Sequence, residues 1–182
     1  AGINISEGTW GGHIIEYNDI FNTVKETGDH GTINSWGRDR FWHPNYNIMT
    51  QITNEKPALI LADVVEPIII RHNRLRCDRG WDIDLDDGSS NYQIYNNLCL
   101  NGGIKLREGF YRTVENNIIV NNTLHPHLWF KNSGDVFSRN IVMTKYKPIS
   151  VRGWGREVDY NIFADSLAYL AARQLGGDAH SI

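Results

Sequence analysis

The feature that most constrains the fold is a repeat of 20 to 24 residues. An asparagine that follows a strand-like tripeptide and stands two places before an apolar residue recurs along the chain. Its positions are Asn18, Asn73, Asn96, Asn116, Asn140 and Asn161, and the last five are spaced by 23, 20, 24 and 21 residues. A second, apolar anchor recurs at Ile83, Ile104, Leu128 and Ile149, with spacings of 21, 24 and 21 residues. Two markers with one period predict a solenoid.

Each repeat contains short strand-like segments and turn residues, without helical periodicity. This content is typical of strands that coil in parallel. The sequence therefore predicts an all-β fold, a right-handed parallel β-helix, in which the anchor asparagines stack as an internal ladder. A leucine-rich repeat has a similar length, but its Leu-x-Leu-x-x-Asn pattern does not recur here.

The repeats predict one β-helix domain over residues 1–182, with both termini resembling the interior of a longer domain. Five segments are expected to be adjacent parallel strands of one sheet: 31–36, 81–86, 103–107, 127–131 and 149–152. A loop excursion is expected at about 37–66, because 55 residues separate Asn18 from Asn73, more than two rungs. The Ala- and Leu-rich stretch at about 165–175 predicts a short helix.

Composition excludes some partners. The net charge of −3 and the pI near 6.2 offer no basic footprint for nucleic acid. The apolar runs are too short to span a bilayer, so no membrane partner is expected. Cys77 and Cys99 lack metal-ligand spacing, and two packed thiols are favoured over a disulfide. A homo-oligomer is compatible with the sequence, and the compartment stays open between cytoplasm and export.

A polar face is predicted where two of these strands meet. In the segment 80–91, Asp82, Asp84 and Asp86 alternate with apolar residues, so three carboxylates share one side of a strand. One rung later, Lys105 and Arg107 alternate in the same way, and Glu108 follows where the strand should end. Acids facing bases beside a further glutamate predict a functional site on this face.

Further side chains are expected to line the same face. Aligned on the apolar anchors, Trp36, His127 and Trp129 project outward with the acids and bases. An outward tryptophan is a natural platform for the C–H face of a sugar. The loop at 37–46, polar and aromatic, is expected to fold over the face and to contribute Arg38, Trp42 and His43. All six side chains, with Asp82, Lys105 and Arg107, are therefore candidate substrate-binding groups.

Other interpretations of these residues stay open. The pairs Asp84 with Lys105 and Asp86 with Arg107 are also explained as cross-strand ion pairs alone. His125 and His127 lack a third ligand at zinc spacing, so no metal is assigned. The acidic run 82–87 is a candidate calcium site, because Ca²⁺ binds several carboxylates.

Three stretches carry a family resemblance. Asp-Leu-Asp-Asp-Gly-Ser-Ser-Asn-Tyr (84–92), Gly-Ile-Lys-Leu-Arg-Glu-Gly-Phe (103–110) and, more loosely, the stretch from 117 that ends in His-Pro-His resemble right-handed parallel β-helix glycoside hydrolases of family 120, the β-xylosidases. The resemblance covers residues 68–132 best. It implies a retaining, exo-acting xylosidase with an Asp nucleophile and a Glu acid/base on adjacent rungs, and Glu108 fits the second role.

Strand geometry ranks the aspartates as partners for Glu108. With strands about 4.8 Å apart and residues about 3.3 Å apart along a strand, the backbones of Asp86 and Glu108 should lie roughly 6 Å apart, and those of Asp84 and Glu108 on the order of 11 Å. Retaining hydrolysis requires carboxyl groups about 5 to 5.5 Å apart. Asp86 is therefore the expected nucleophile and Asp84 the reserve candidate. No cofactor is expected, and the expected partner is an oligo- or polysaccharide.

Two other functions are compatible with these residues. A polysaccharide lyase would use Lys105 or Arg107 as its base and Ca²⁺ bound by the acidic run to neutralise a uronate. A non-catalytic, carbohydrate-binding β-helix would use the same face for affinity alone.

Overall fold

The computed structural model describes residues 1–7, 10–122, 124–126, 130, 132–143, 155–164 and 180–182, with 124–126 described as backbone. The strands of this part of the chain are short, two to six residues each. In chain order they are β1 (Ile3–Ser6), β2 (Ile14–Glu16), β3 (Asp19–Ile20), β4 (Gly31–Trp36), β5 (Ile68–Arg71), β6 (Arg74–Leu75), β7 (Trp81–Asp86), β8 (Tyr92–Tyr95), β9 (Leu98–Cys99), β10 (Ile104–Leu106), β11 (Arg112–Glu115), β12 (Ile118–Ile119), β13 (Leu124–Pro126), β14 (Val136–Ser138), β15 (Ile141–Val142), β16 (Glu157–Asp159) and β17 (Ile162–Phe163).

These strands form three parallel sheets. The first sheet has the order β1-β4-β7-β10-β13, the second β2-β5-β8-β11-β14-β16, and the third β3-β6-β9-β12-β15-β17. Each strand pairs in parallel with the corresponding strand of the next rung. The chain is therefore an all-β parallel solenoid, in agreement with the predicted fold class.

The strands that carry the predicted site have the expected register. β4 and β7 have the predicted bounds, and Ile33, Ile83 and Ile104 stack on one another. β1, which pairs with β4, was not predicted. Because Ile3 and Ile5 are partly buried against the main core, β1 adds a rung before the first predicted one.

The fourth predicted strand is placed wrongly by four residues. Leu124, not Leu128, pairs with Ile104, so His125 stands in register with Lys105 where Trp129 was expected. The segment 127–129, residue 131 and the predicted strand at 149–152 lie outside the described residues.

The asparagine ladder is confirmed with a shift of one residue in two rungs. The side chains of Asn97 and Asn117, not of Asn96 and Asn116, occupy it: Asn73 Nδ2 donates to Asn97 Oδ1 at 3.0 Å, and Asn97 Nδ2 donates to Asn117 Oδ1 at 3.0 Å. Asn18, Asn140 and Asn161 continue the ladder as predicted. Asn117 lies seven residues before Leu124, as Asn97 lies seven before Ile104, so the corrected ladder and strand positions have the same spacing in these two rungs.

Asn96 and Asn116 have another role. Their φ angles are 57° and 54°, and both are exposed. The same left-handed turn position is held by Tyr17, His72 and Arg139 in other rungs. Because asparagine tolerates this conformation, an Asn-Asn pair supplies both the turn residue and the ladder residue.

The main core runs along the inside of the solenoid and contains Ile33, Ile83, Leu85, Ile104 and Leu106, all fully buried. Cys77 and Cys99 are buried free thiols, as favoured from the sequence. In register, Cys99 pairs with Leu75.

The predicted excursion at 37–66 contains a helix that was not predicted. The helix α1 (Tyr46–Glu55) begins at Asn45, whose side chain accepts hydrogen bonds from the N–H groups of Asn47 and Ile48, and a 3₁₀ turn (Pro57–Leu59) follows. A second apolar cluster of Phe41, Met49, Ile60, Phe110 and Phe130 fixes the excursion to the solenoid.

The predicted tail helix at 165–175 lies outside the described residues. Within the described part of the chain, no helix has the length and apolar character needed to cross a membrane.

Candidate active site

The face predicted to be open to solvent is largely covered. Asp82, Asp84 and Lys105 are at most 4% exposed. The segment before β4 covers one side, where Thr23 Oγ1 lies 2.8 Å from Thr32 Oγ1. The excursion covers the other side, where Trp42 reaches Glu108. The loop at 37–46 was expected over this face, but the segment before β4 was not. Strand alternation predicts which side chains share a face, and it carries no information about segments that fold back over that face.

A pocket of about 530 Å³ remains at the end of this face. It brings together acids, bases and an aromatic side chain from four segments of the chain. Its lining residues are Glu7, Asp29, His30, Asn34, Trp36, Arg38, Asp86, Asp87 and Arg107.

Lys105 lies beneath the pocket as a buried cation between two acids. Its Nζ is 2.9 Å from Asp84 Oδ1 and 3.1 Å from Asp86 Oδ2. Burial alone would lower the pKa of Lys105, but the two carboxylates outweigh it and raise that pKa above its ordinary value. Burial raises the pKa of Asp84 to about 6, against the opposing effect of Lys105.

The ammonium group of Lys105 occupies the place where the calcium interpretation would put a cation. Among the described residues, Asp29, Asp84 and Asp86 form the group with metal-ligand proximity, with carboxylate oxygens within 4.8 Å of one another. The single ammonium of Lys105 lies within ion-pair distance of two of these three acids. The acidic run is therefore organised around an amine rather than around an open cation site.

Arg107 connects the two carboxylates of the expected catalytic pair. Its Nη1 lies 2.9 Å from Asp86 Oδ1 and 3.4 Å from Asp87 Oδ1, and its Nε lies 2.8 Å from Glu108 Oε2. The contact with Glu108 is an ion pair without hydrogen-bond alignment. One guanidinium group therefore lies between the carboxylates of Asp86 and Glu108, which makes the two side chains near neighbours.

Asp86 and Glu108 differ in how their environments affect ionisation. Burial opposes ionisation of Asp86, but Lys105 and Arg107 together hold its pKa below the ordinary value. Burial raises the pKa of Glu108, and Arg107 opposes that rise without cancelling it. Two carboxylates on one arginine are therefore shifted in opposite directions.

The excursion forms one wall of the site. Trp42 Nε1 donates to Glu108 Oε1 at 3.2 Å. Arg38 Nε donates to Asp87 Oδ2 at 2.8 Å, and its guanidinium lies 6.0 Å from the ring of Trp36 and 5.6 Å from that of Trp42. Arg38 and Trp42 of the loop are thus placed beside Trp36 and Glu108.

Other expected site residues are placed elsewhere. Asp82 is fully buried and accepts hydrogen bonds from the N–H groups of Cys77, Asn101, Gly102 and Gly103. It organises a turn and does not face the pocket, which corrects its expected role in substrate binding. His43 Nδ1 accepts from the N–H of Asn45 ahead of α1 and does not line the pocket. His127 and Trp129 lie outside the described residues.

Several pocket residues were missed from the sequence. Asp29 and His30 come from the turn before β4, and Glu7 follows β1. None of the three belongs to an alternating segment, so periodicity gave no signal for them. Asp87 did have a sequence signal, because it follows Asp86 directly, but it was considered only as a calcium ligand.

Comparison with known proteins gives no match, whether with protein-family models, with curated proteins or with solved structures.

Proposed function

We propose that this chain is a carbohydrate-active enzyme, a retaining glycoside hydrolase similar to the β-xylosidases. Its solenoid is right-handed, since parallel crossover connections follow that hand in nearly all folds. Asp86 is the nucleophile and Glu108 the acid/base, and the substrate is an oligo- or polysaccharide that enters the pocket beside Trp36.

The observation that carries this proposal is the opposite shift of two carboxylates that share Arg107. A retaining glycosidase needs one carboxylate that stays ionised and one carboxylic acid that stays protonated until it donates. The lowered pKa of Asp86 and the raised pKa of Glu108 match those two roles. Asp84 matches the role of the nucleophile less well than Asp86, because its pKa is raised to about 6 and its side chain is paired with Lys105.

The reaction proceeds in two displacements. Glu108 donates its proton to the glycosidic oxygen as Asp86 attacks the anomeric carbon, so the glycosidic C–O bond breaks and an ester to Asp86 forms. Glu108 then removes a proton from water, which attacks the same carbon and releases Asp86. Because Glu108 is 3% exposed behind Arg107 and Trp42, the entering sugar must draw Arg107 away from it.

The lyase alternative is less well supported. A β-elimination base must be neutral at working pH, whereas the pKa values of Lys105 and Arg107 are both raised. The pocket lining also holds four acids against two arginines that are already ion-paired. Such a lining disfavours the carboxylate of a uronate.

The test is a panel of 4-nitrophenyl glycosides, assayed with and without chelator. We expect release of nitrophenol from a neutral pentoside or hexoside, with no effect of chelator. Asp86→Gly should lose at least about 10³-fold in kcat and regain turnover with added azide, giving a glycosyl azide of inverted anomeric configuration.

Two controls separate the alternatives. Asp84→Asn with a larger loss than Asp86→Asn would transfer the nucleophile role to Asp84. An unsaturated, ultraviolet-absorbing product from a polyuronate would establish the lyase, and sugar affinity without any product would establish a binding protein.

A further inference from the structure

Arg112 is a charged residue at a core position. In register it pairs with Tyr92, which pairs with Ile68 in the rung before, and both of these are buried. The side chains of Arg112 and of its partner Asp135 are 0% exposed. No step of the proposed reaction uses either group.

The guanidinium makes two sets of contacts. Toward β14, Nε donates to Asp135 Oδ1 at 2.8 Å and Nη2 donates to Asp135 Oδ2 at 2.7 Å. Toward the site, Nη1 donates to the carbonyl oxygens of Ser89, at 3.2 Å, and of Arg107. These carbonyls belong to the turn that follows Asp86 and Asp87 and to the turn that carries Glu108.

The two turns touch at Gly109. A Cβ atom there would lie 2.3 Å from the carbonyl oxygen of Ser89 and 2.7 Å from Arg112 Nη1. Only glycine permits this approach. The two turns are therefore closest at Gly109, beside the guanidinium of Arg112 that binds both of them.

Stability alone is a weak explanation for this arrangement. The desolvation cost of a buried ion pair can exceed its attraction, and apolar residues of similar volume often stabilise as well or better. The preceding rungs carry such residues, Ile68 and Tyr92, at the same position. This comparison favours another use for the cation at residue 112.

We infer that Arg112, held by Asp135, is a positioning residue that fixes the turn at 107–110 against the turn at 87–91. By holding the Arg107 carbonyl it places the Arg107 side chain between Asp86 and Glu108, and it keeps Glu108 buried. This inference rests on the proposed function for its kinetic consequence, but not for its effect on Glu108.

The test is the double variant Arg112→Met with Asp135→Asn, which removes both charges and leaves no unpaired buried ion. Misplacement by about 1 Å costs up to about 100-fold in rate, so we expect kcat to fall about 10-fold to 100-fold with KM within about threefold. In carboxyl ¹³C NMR, with Glu108→Gln for assignment, the pKa of Glu108 should move away from its wild-type value, because both its burial and its contact with Arg107 depend on the position of the turn.

Val114→Ala is the matched control. Val114 is fully buried on the same strand and belongs to the main core, away from both turns. It should lower the melting temperature and leave kcat and the titration of Glu108 unchanged. If the double variant does not fold, Arg112→Lys serves in its place, because it keeps the charge and loses the planar guanidinium. It should lower kcat and move the pKa of Glu108 away from its wild-type value, as expected of the double variant.

A folded variant with wild-type kcat and a wild-type titration of Glu108 would overturn the inference. If wild type hydrolyses no glycoside, the proposed function fails, and the titration alone then decides whether Arg112 positions Glu108.

Discussion

At the scale of single residues, the carboxylates of this chain differ in the cations that reach them. Asp63 is held by Arg40 through paired contacts, and its hydrogen bond to that side chain lowers its pKa. Asp39 is buried, its Oδ2 has no hydrogen-bond partner among the described residues, and burial with the nearby charge of Asp63 raises its pKa to about 6. The pKa values of these two neighbouring acids are therefore shifted in opposite directions, so their contributions to stability should change oppositely with pH.

This difference predicts a pH-dependent effect of Asp39→Asn. Since the folded pKa of Asp39 lies above its ordinary value, its contribution to stability is present at low pH and is lost as the pH rises through about 6. The melting temperature of the variant relative to wild type should therefore rise between pH 4 and pH 7.5, by about 2 °C or more.

Asp63→Asn is the matched comparison with the opposite sign. Its folded pKa is lowered, so wild type gains stability above the ordinary pKa and loses it as the pH falls. This variant should be less stable than wild type at pH 7.5, with the gap closing toward pH 3. Parallel pH profiles for the two variants would contradict the assigned shifts.

At the scale of elements, the asparagine ladder joins the turns between the second and third sheets. Asn117 Oδ1 accepts from both the backbone N–H and the Nδ2 of Asn97, and Asn117 Nδ2 donates to the carbonyl of Ile94. All of these groups are buried. Removal of one rung of the ladder therefore leaves several polar groups without partners.

We expect Asn117→Ala to lower the free energy of unfolding by about 3 kcal/mol, because buried donors lose their acceptors. Asn116→Gly, one residue away at an exposed position with φ of 54°, should change it by less than about 0.5 kcal/mol. Urea titration followed by circular dichroism measures both. Equal losses would contradict the assignment of the ladder to Asn117.

The individual elements also show which parts of the fold could be predicted from the sequence. β7 was predicted to the residue because apolar and polar side chains alternate through it, and β4 because it aligns with β7 through Ile33. In two rungs the ladder was predicted one residue too early, because Asn96-Asn97 and Asn116-Asn117 each offer two adjacent asparagines. The sequence does not separate the two members, because apolar residues lie two places after both: Leu98 and Cys99 in one pair, Ile118 and Ile119 in the other. The structure shows that Cys99 and Ile119 are buried, whereas Leu98 and Ile118 are not. The helix α1 was missed because it buries little, with Met49 and Thr53 its buried residues.

At the scale of the whole molecule, a solenoid turns sequence period into spatial proximity. That is why Asp86, Lys105 and Arg107, 19 and 21 residues apart, could be placed together before the structure was known. Glu7, Asp29 and Arg38 reach the same pocket from segments outside the repeat, and no period predicts them. The pairing of Arg112 with Asp135 was equally hidden, because an arginine at an inward position breaks the pattern that defines the repeat.

The central claim is that Asp86 attacks the sugar, and covalent trapping tests it most directly. The protein is incubated with a 2-deoxy-2-fluoro glycoside of the sugar that the panel identifies, carrying a good leaving group, and the modified peptide is sequenced by mass spectrometry. The account predicts one added fluorosugar per chain, esterified to Asp86, and none in Asp86→Asn. A label on Asp84, Asp87 or Asp29, or steady turnover without any label, would contradict it.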